Sequence, residues 1–257
     1  KRYAGSTPQA FLQQPLPRWI THRGGGLLAP ENTLAGIRLA ARLGYQAVEF
    51  DVMLSADGTP FLIHDETLER TTNGHGPVCA TPDSVLLSLD AGQGEPLPTL
   101  AQAAALCREL GLLANVEIKP AAGYELQTAE VVARQCVALW LGAATPPLIS
   151  SFSMAALAIA RDLAPAIPRG LLFDRVPIDW LSQMHALRGV TLHCNARHVE
   201  RAVLDEANAN GIPVLCYTVN SPEQAATLLA SGVSSVFTDR LDLFAETSPY
   251  KALQLGG

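Results

Sequence analysis

The sequence predicts an α/β fold, a (β/α)8 TIM barrel with a small insertion after the second strand. Three observations lead there. Eight short apolar runs alternate with stretches of helical period, which implies a parallel sheet with crossover helices. The 257 residues suit eight such units closed into a barrel better than an open doubly wound sheet. Polar residues also gather at the C-terminal ends of the runs while their N-terminal halves stay apolar, which is how barrels carry their chemistry.

Residues 1–18 hold Pro8, Pro15 and Pro17 among glutamines and small residues and read as an extended N-terminal lead-in. Residues 19–21 form a short strand that delivers His22-Arg23 and the turn Gly24-Gly25-Gly26. Pro30-Glu31-Asn32-Thr33 then leads into a helix over 34–43, ended by Gly44. The strand over 47–54 follows, with Val48, Phe50 and Val52 suited to a buried pleat. Its period of two turns Glu49 and Asp51 to one face. Asp57-Gly58 is a hairpin signal, and the chain returns through 61–64. Residues 66–97 contain TTNGHG, TPDS and AGQGEP and read as a loop-rich insertion with at most one short helix. Helices are predicted over 99–110, 125–141, 154–163, 179–187, 199–210 and 222–230, alternating with strands over 113–119, 147–152, 169–173, 190–195, 213–220 and 234–239. A last short helix starts at Leu241. No linker-like shift in composition interrupts residues 19–250, which read as one domain.

The chain is 48% hydrophobic and 16% charged, with a net charge of −6 and no basic run. That charged fraction is low for a soluble domain and implies a large core. The acidic balance argues against nucleic acid and against stable membrane association, while leaving room for a local cationic pocket. No uncharged run of membrane-spanning length and no signal-peptide pattern stands out. Cys79, Cys107, Cys136, Cys194 and Cys216 are scattered without metal-ligand spacing, which fits free thiols in a reducing, cytoplasmic setting. Composition permits a monomer or a homodimer.

The strand ends carry the chemistry. Two carboxylates on one face of a buried strand repel unless something positive lies between them. Glu49, Asp51 and Glu117 together make a hard, oxygen-rich set suited to one divalent cation, Mg2+ or Ca2+. Arg23 and Lys119 are cations at the same end, with phosphate oxygens as their natural partner. His22 and His64 suit general acid and base roles near neutral pH, or the blander roles of structural histidine and extra ligand. Phe152, His193, Asn195 and Tyr217 are candidates to line the pocket. Cys194 and Cys216 alternate away from it, towards the helices. His75, His185 and His198 read as surface residues.

Several of these segments, taken in order, resemble one family. His22-Arg23-Gly24, Pro30-Glu31-Asn32-Thr33, Glu49-Phe50-Asp51-Val52, Asp57-Gly58, and His64-Asp65 with Leu68-Glu69-Arg70-Thr71-Thr72-Asn73-Gly74 are similar to the glycerophosphodiester phosphodiesterase family. Glu117-Ile118-Lys119, Ser151-Phe152, Tyr217-Thr218-Val219-Asn220, and Gly232 with Phe237-Thr238-Asp239 agree. Tyr217 stands where many members carry Trp. The resemblance implies a barrel enzyme of lipid and glycerol metabolism. It would hydrolyse glycerophosphodiesters, such as glycerophosphocholine or glycerophosphoethanolamine, to glycerol 3-phosphate and an alcohol. It also implies His22 and His64 as the acid–base pair, Arg23 and Lys119 on the phosphate, and Glu49, Asp51 and Glu117 on the cation. Two alternatives stand beside it: a lipid-directed phosphodiesterase or lyase on a similar barrel, and a non-catalytic phosphate-binding barrel.

Overall fold

The expected alternation closes on itself. In the computed structural model, which describes residues 8–244, the strands are β1 (Trp19–Thr21), β2 (Ala47–Leu54), β3 (Pro60–Leu62), β4 (Leu113–Ile118), β5 (Leu148–Ser151), β6 (Arg169–Phe173), β7 (Thr191–Asn195), β8 (Val214–Tyr217) and β9 (Ser235–Thr238). All pair in parallel around the sheet except β3, which folds back antiparallel on β2. β1 pairs with both β2 and β9, so eight parallel strands form a closed (β/α)8 barrel with no free edge. Residues 1–7 of the lead-in and 245–250 of the barrel segment lie outside the described residues.

The helices are α1 (Leu34–Arg42), α2 (Asp83–Leu86), α3 (Leu100–Leu110), α4 (Glu125–Leu139), α5 (Met154–Leu163), α6 (Trp180–Leu187), α7 (Arg201–Ala209), α8 (Pro222–Ala230) and α9 (Leu241–Phe244). Four of these starts, those of α1, α3, α5 and α8, are set by side-chain caps. Thr33, Ser153 and Ser221 each accept a bond from a backbone N–H of the first turn, and Thr99 forms a reciprocal capping box with Gln102. Gly111 ends α3 in the left-handed conformation, as its position predicts. Between helices and barrel lies the main core, which includes Val48, Phe50, Val52, Val116, Ile149 and Leu192. Cys194 and Cys216 sit in that outer core, their sulfurs 3.8 Å apart, as alternation implied. A smaller plug of Ile20, Ala47, Leu215 and Phe237 fills the barrel interior.

Three local expectations are corrected. Pro8–Gln13 is a 3-10 helix rather than extended chain. The insertion carries two helical pieces, the 3-10 turn Val78–Ala80 and the one-turn α2, packed over a separate core of Met53, Phe61, Ile63, Leu68, Val78 and Leu86. Its polar composition hid that core because only a few apolar residues build it. α4 stops at Leu139, two residues early, because Trp140 turns in to bury itself against the barrel layer. Among the described residues no helix is long and apolar enough to cross a membrane.

Candidate active site

Parallel pairing places every strand's C-terminal end at one mouth, and there register brings the acids together. Asp51 on β2 pairs directly across the ladder with Glu117 on β4, and Glu49 lies one inward position below, opposite Asn115. Carboxylate oxygens of Glu49, Asp51 and Glu117 all lie within 4.8 Å of one another. All three side chains are buried. Burial, and then the Asp51 and Glu117 charges, push the Glu49 carboxyl well above its ordinary value; burial and Asp51 do the same to Glu117. Asp51 is steadied by Asn32, whose amide donates to Asp51 Oδ2 at 3.1 Å and whose Oδ1 accepts the Asp51 backbone N–H at 3.2 Å. Glu49 Oε2 accepts the backbone N–H of Arg23 at 3.0 Å, while its Oε1 is buried without a partner.

The loop after β1 makes this possible by unusual backbone. Arg23 and Asn32 both adopt positive φ, 51° and 56°, a conformation that costs a branched residue far more than it costs Asn. Gly26 is also at positive φ, and a Cβ there would collide with the backbone carbonyl of Asp239. The loop therefore lies flat against the end of β9, sealed by Leu27 N–H donating to Asp239 O at 2.9 Å.

The two histidines share one design. His22 Nδ1 sits 2.7 Å from Asp239 Oδ1, and His64 Nδ1 sits 2.7 Å from Asp65 Oδ1. A carboxylate on Nδ1 fixes the tautomer and leaves Nε2 for the cleft. His22 Nε2 stands 4.0 Å from Glu49 Oε2. Asn220 backs Asp239, and Arg70 backs Asp65. Burial lowers the proton affinity of His64, opposed by Asp51 and Asp65. Arg70 first, then His64, holds Asp65 below its ordinary value. Burial raises Asp239, yet its bonds to His22 and Asn220 bring it below its usual value.

Both cations face the same cleft, a space of about 230 Å3 bounded by His22, Arg23, Glu49, Asp51, His64, Glu117, Lys119, Phe152, His193 and Tyr217. Arg23 donates Nη1 to Glu31 at 2.9 Å; its Nε stands 3.7 Å from Asp51, too far for a hydrogen bond, and is buried without an acceptor. Lys119 makes no ion pair among the described residues. Phe152, half exposed, meets Tyr217 edge-on at 6.0 Å, and the Tyr217 hydroxyl donates to Phe173 O. His193 lies on the floor, fully buried, bonded to Thr191 and kept neutral by burial that pulls it down to about 3. Asn195 alone is not brought in. It shares the inward face of β7 on paper but sits at the strand's last position, where its amide donates to Asp174 and its Oδ1 accepts the Arg197 N–H. A larger cavity of about 680 Å3 lies beneath the strands' opposite ends, and its one charged lining residue, Arg108, is occupied with Leu139 O.

Asp65, Asp239, Asn32, Glu31 and Arg70 were given no part by sequence reasoning. Asp239 was within reach: in a closed barrel the last strand abuts the first, so the acid ending β9 must meet the histidine ending β1. Asp65 adjoins His64. Nothing local signals the Glu31–Arg70 contact, which joins segments from two different loops.

A family model described as the glycerophosphoryl diester phosphodiesterase family matches residues 22–243. Among curated relatives, YhdW of Bacillus subtilis (strain 168) is 31% identical over 90% of this chain and 98% of its own length. The glycerophosphodiester phosphodiesterase of Caldanaerobacter subterraneus subsp. tengcongensis is 29% identical over 86% of this chain and 93% of its own. Among solved structures, an Oleispira antarctica phosphodiesterase in complex with the product sn-glycerol-3-phosphate superposes with a TM-score of 0.83 at 36% identity, covering 90% of this chain and 95% of that one.

Proposed function

Since the chain belongs to the glycerophosphoryl diester phosphodiesterase family, we propose that it hydrolyses glycerophosphodiesters such as glycerophosphocholine or glycerophosphoethanolamine to glycerol 3-phosphate and an alcohol, using His22 and His64 as its proton-transfer pair. The observation that carries this is a matched pair of orphaned atoms in one cleft. Glu49 Oε1 is a buried acceptor without a donor, and Arg23 Nε a buried donor without an acceptor. A cation answers the first and a phosphate oxygen the second.

Glu49, Asp51 and Glu117 fit a single divalent cation, Mg2+ or Ca2+: oxygen donors only, buried, and mutually repulsive without it. When bound, such a cation supplies charge that stabilises the phosphoryl oxygens in the transition state. Arg23 Nε and the Lys119 ammonium hold those same oxygens from the other side. We assign His22 Nε2 as the base. It takes the proton of the attacking hydroxyl, either water or the neighbouring glycerol hydroxyl, as the new P–O bond forms. His64 Nε2 gives its proton to the alcohol oxygen as the old P–O bond breaks. Burial first, and then the Arg23 and Lys119 charges, lower the proton affinity of His64; a bound phosphodiester anion opposes that shift, so the acid carries its proton in the complex. Attack by the glycerol hydroxyl would pass through a cyclic phosphate that the same two histidines, with roles exchanged, open with water.

We treat residues 19–250 as one catalytic unit with 66–97 as its insertion, acting on small molecules in the cytoplasm, where its five cysteines would remain free thiols. The test is release of glycerol 3-phosphate from glycerophosphocholine with Mg2+ or Ca2+ and with EDTA. Release abolished by EDTA is expected. Preference for lysophosphatidylcholine would favour a lipid-directed enzyme, and no release with either metal a non-catalytic phosphate-binding barrel.

A further inference from the structure

Nothing in the proton-transfer scheme uses Arg70, although its side chain, 48% exposed, lies at the centre of the ion pairs at the mouth. Its guanidinium spans two carboxylates. Nε and Nη2 donate to the two oxygens of Asp65 at 2.8 and 2.9 Å, and Nη1 and Nη2 donate to the two oxygens of Glu31 at 2.6 and 3.3 Å. Asp65 holds His64, and Glu31 holds Arg23. We propose that Arg70 is a positioning residue that sets the geometry of His64 and the anion affinity of Arg23 at once, and that carrying this one cation is the function of the insertion. The proposal rests on the phosphodiesterase reading above.

The local structure supports a fixed Arg70. Two residues before it, Leu68 is buried in the small core under the insertion. Leu68 N–H donates to Gly76 O, and both the backbone and the hydroxyl of Thr72 donate to Leu68 O. The turn bearing Arg70 is thus anchored on both sides, and the fork reaches back over the cleft.

Two physical effects follow. On the His64 side, a bidentate fork fixes the plane of the Asp65 carboxylate so that Oδ1 aims at the imidazole. Lysine, a point donor, cannot reproduce that plane. On the Arg23 side the effect concerns charge. Glu31 alone with Arg23 would be a neutral pair, and a substrate phosphate would have to compete with the glutamate. Arg70 divides its charge between Asp65 and Glu31, so Glu31 is shared by two guanidiniums and is no longer matched one to one with Arg23. Arg70 and Arg23 together outweigh burial and hold Glu31 below its ordinary value. Arg70 thus keeps Glu31 from neutralising Arg23.

The test is a double-mutant cycle on glycerophosphocholine with Mg2+. Arg70→Met is expected to raise KM about tenfold and lower kcat about tenfold, the loss of charge-assisted bonds on each side. Adding Glu31→Gln to Arg70→Met is expected to bring KM back towards wild type while kcat stays low, because the competing carboxylate is gone. A merely structural role predicts the opposite, a KM that worsens further in the double variant, and that result overturns the proposal. Arg70→Lys should restore KM and not kcat; full recovery of both refutes the claim about the fork. If Arg70→Met does not fold, Arg70→Gln carries the same comparison. A second arm needs no turnover. With Mg2+ present, the imidazole nitrogens of His64 are titrated by NMR in wild type and Arg70→Met. His64 is faced by Asp65, by Asp51 from β2, by Arg23 from the loop after β1 and by Lys119 at the end of β4. Loss of Arg70 leaves Asp65 to act on His64 alone, and the midpoint should move up. An unmoved midpoint refutes the coupling. A wild type that releases no glycerol 3-phosphate yet shows the shift refutes the phosphodiesterase reading and keeps the clamp.

Discussion

Replacing Glu117 by Gln should make the metal-free protein more stable and at the same time abolish its response to metal. Three carboxylates lie within 4.8 Å of one another in a buried setting. At that distance and an effective dielectric of about 20, each ionised pair costs about 3.5 kcal/mol. Three such pairs rival the whole stability of a domain, roughly 5–15 kcal/mol. The metal-free fold answers by keeping protons. Glu49 and Glu117 sit well above their ordinary value of 4.5. A carboxyl raised in the folded state contributes stability that is present below the unfolded value and lost as pH climbs through the raised one. The metal-free melting temperature should therefore fall as pH rises above about 4.5, and a divalent cation should cancel the fall while displacing protons. A ligand at a hundred times its Kd adds about 2.7 kcal/mol, which for a chain of this length is a shift of about 5–10 °C. Differential scanning fluorimetry with EDTA, Mg2+ and Ca2+ across pH 5–8 measures this, and calorimetry in two buffers counts the protons. Glu117→Gln needs no proton uptake at that position on folding, so the metal-free Tm should rise, and with one ligand oxygen lost the metal-induced shift should collapse. A full metal shift in Glu117→Gln, or a wild type that melts identically with EDTA and with millimolar metal, refutes the reasoning.

Three further outcomes are expected. His22→Ala and His64→Ala should each lower kcat by about 10²–10⁴-fold with small changes in KM; retention of most turnover by both sinks the acid–base assignment. Asp239→Asn keeps the hydrogen bond to His22 but exchanges an anion for an amide, so kcat should fall at least about 10²-fold with the Tm nearly unchanged; steady-state kinetics beside a melting curve separates this from misfolding. Gly170→Ala inserts a Cβ against His193 Nε2 and Thr191 Oγ1 inside the barrel, and should cost about 1–3 kcal/mol by urea denaturation; an unchanged midpoint would show that the floor can yield.

The barrel was legible because its signals repeat: each strand is apolar at its start and polar at its end, and stretches of helical period stand between the strands. The metal-binding candidates were legible because a single strand carries two of them and period two puts both on one face. What stayed hidden depends on register or on loops. Asn195 obeys the same alternation as His193, yet it stands where β7 ends, and a side chain at a strand's last position follows the loop. The insertion's small core needed long-range packing of Leu68, Val78 and Leu86 against β2 and β3, which no local pattern encodes. The Glu31–Arg70 contact is electrostatic and crosses from one loop to another, so it leaves no periodic trace.

The seam between β1 and β9 has a consequence for how activity arises as the protein is made. His22 and Asp239 are 217 positions apart, the first and nearly the last residues of the barrel to leave the ribosome. The loop carrying His22 and Arg23 rests on the carbonyl of Asp239 through Gly26 and Leu27. Until β9 emerges and pairs with β1, the histidine has no carboxylate on Nδ1 and its loop has no floor. A nascent or prematurely terminated chain that holds all three acids and His64 still lacks the His22–Asp239 contact. Under the proposed scheme, full hydrolysis is therefore expected only once the circle is finished.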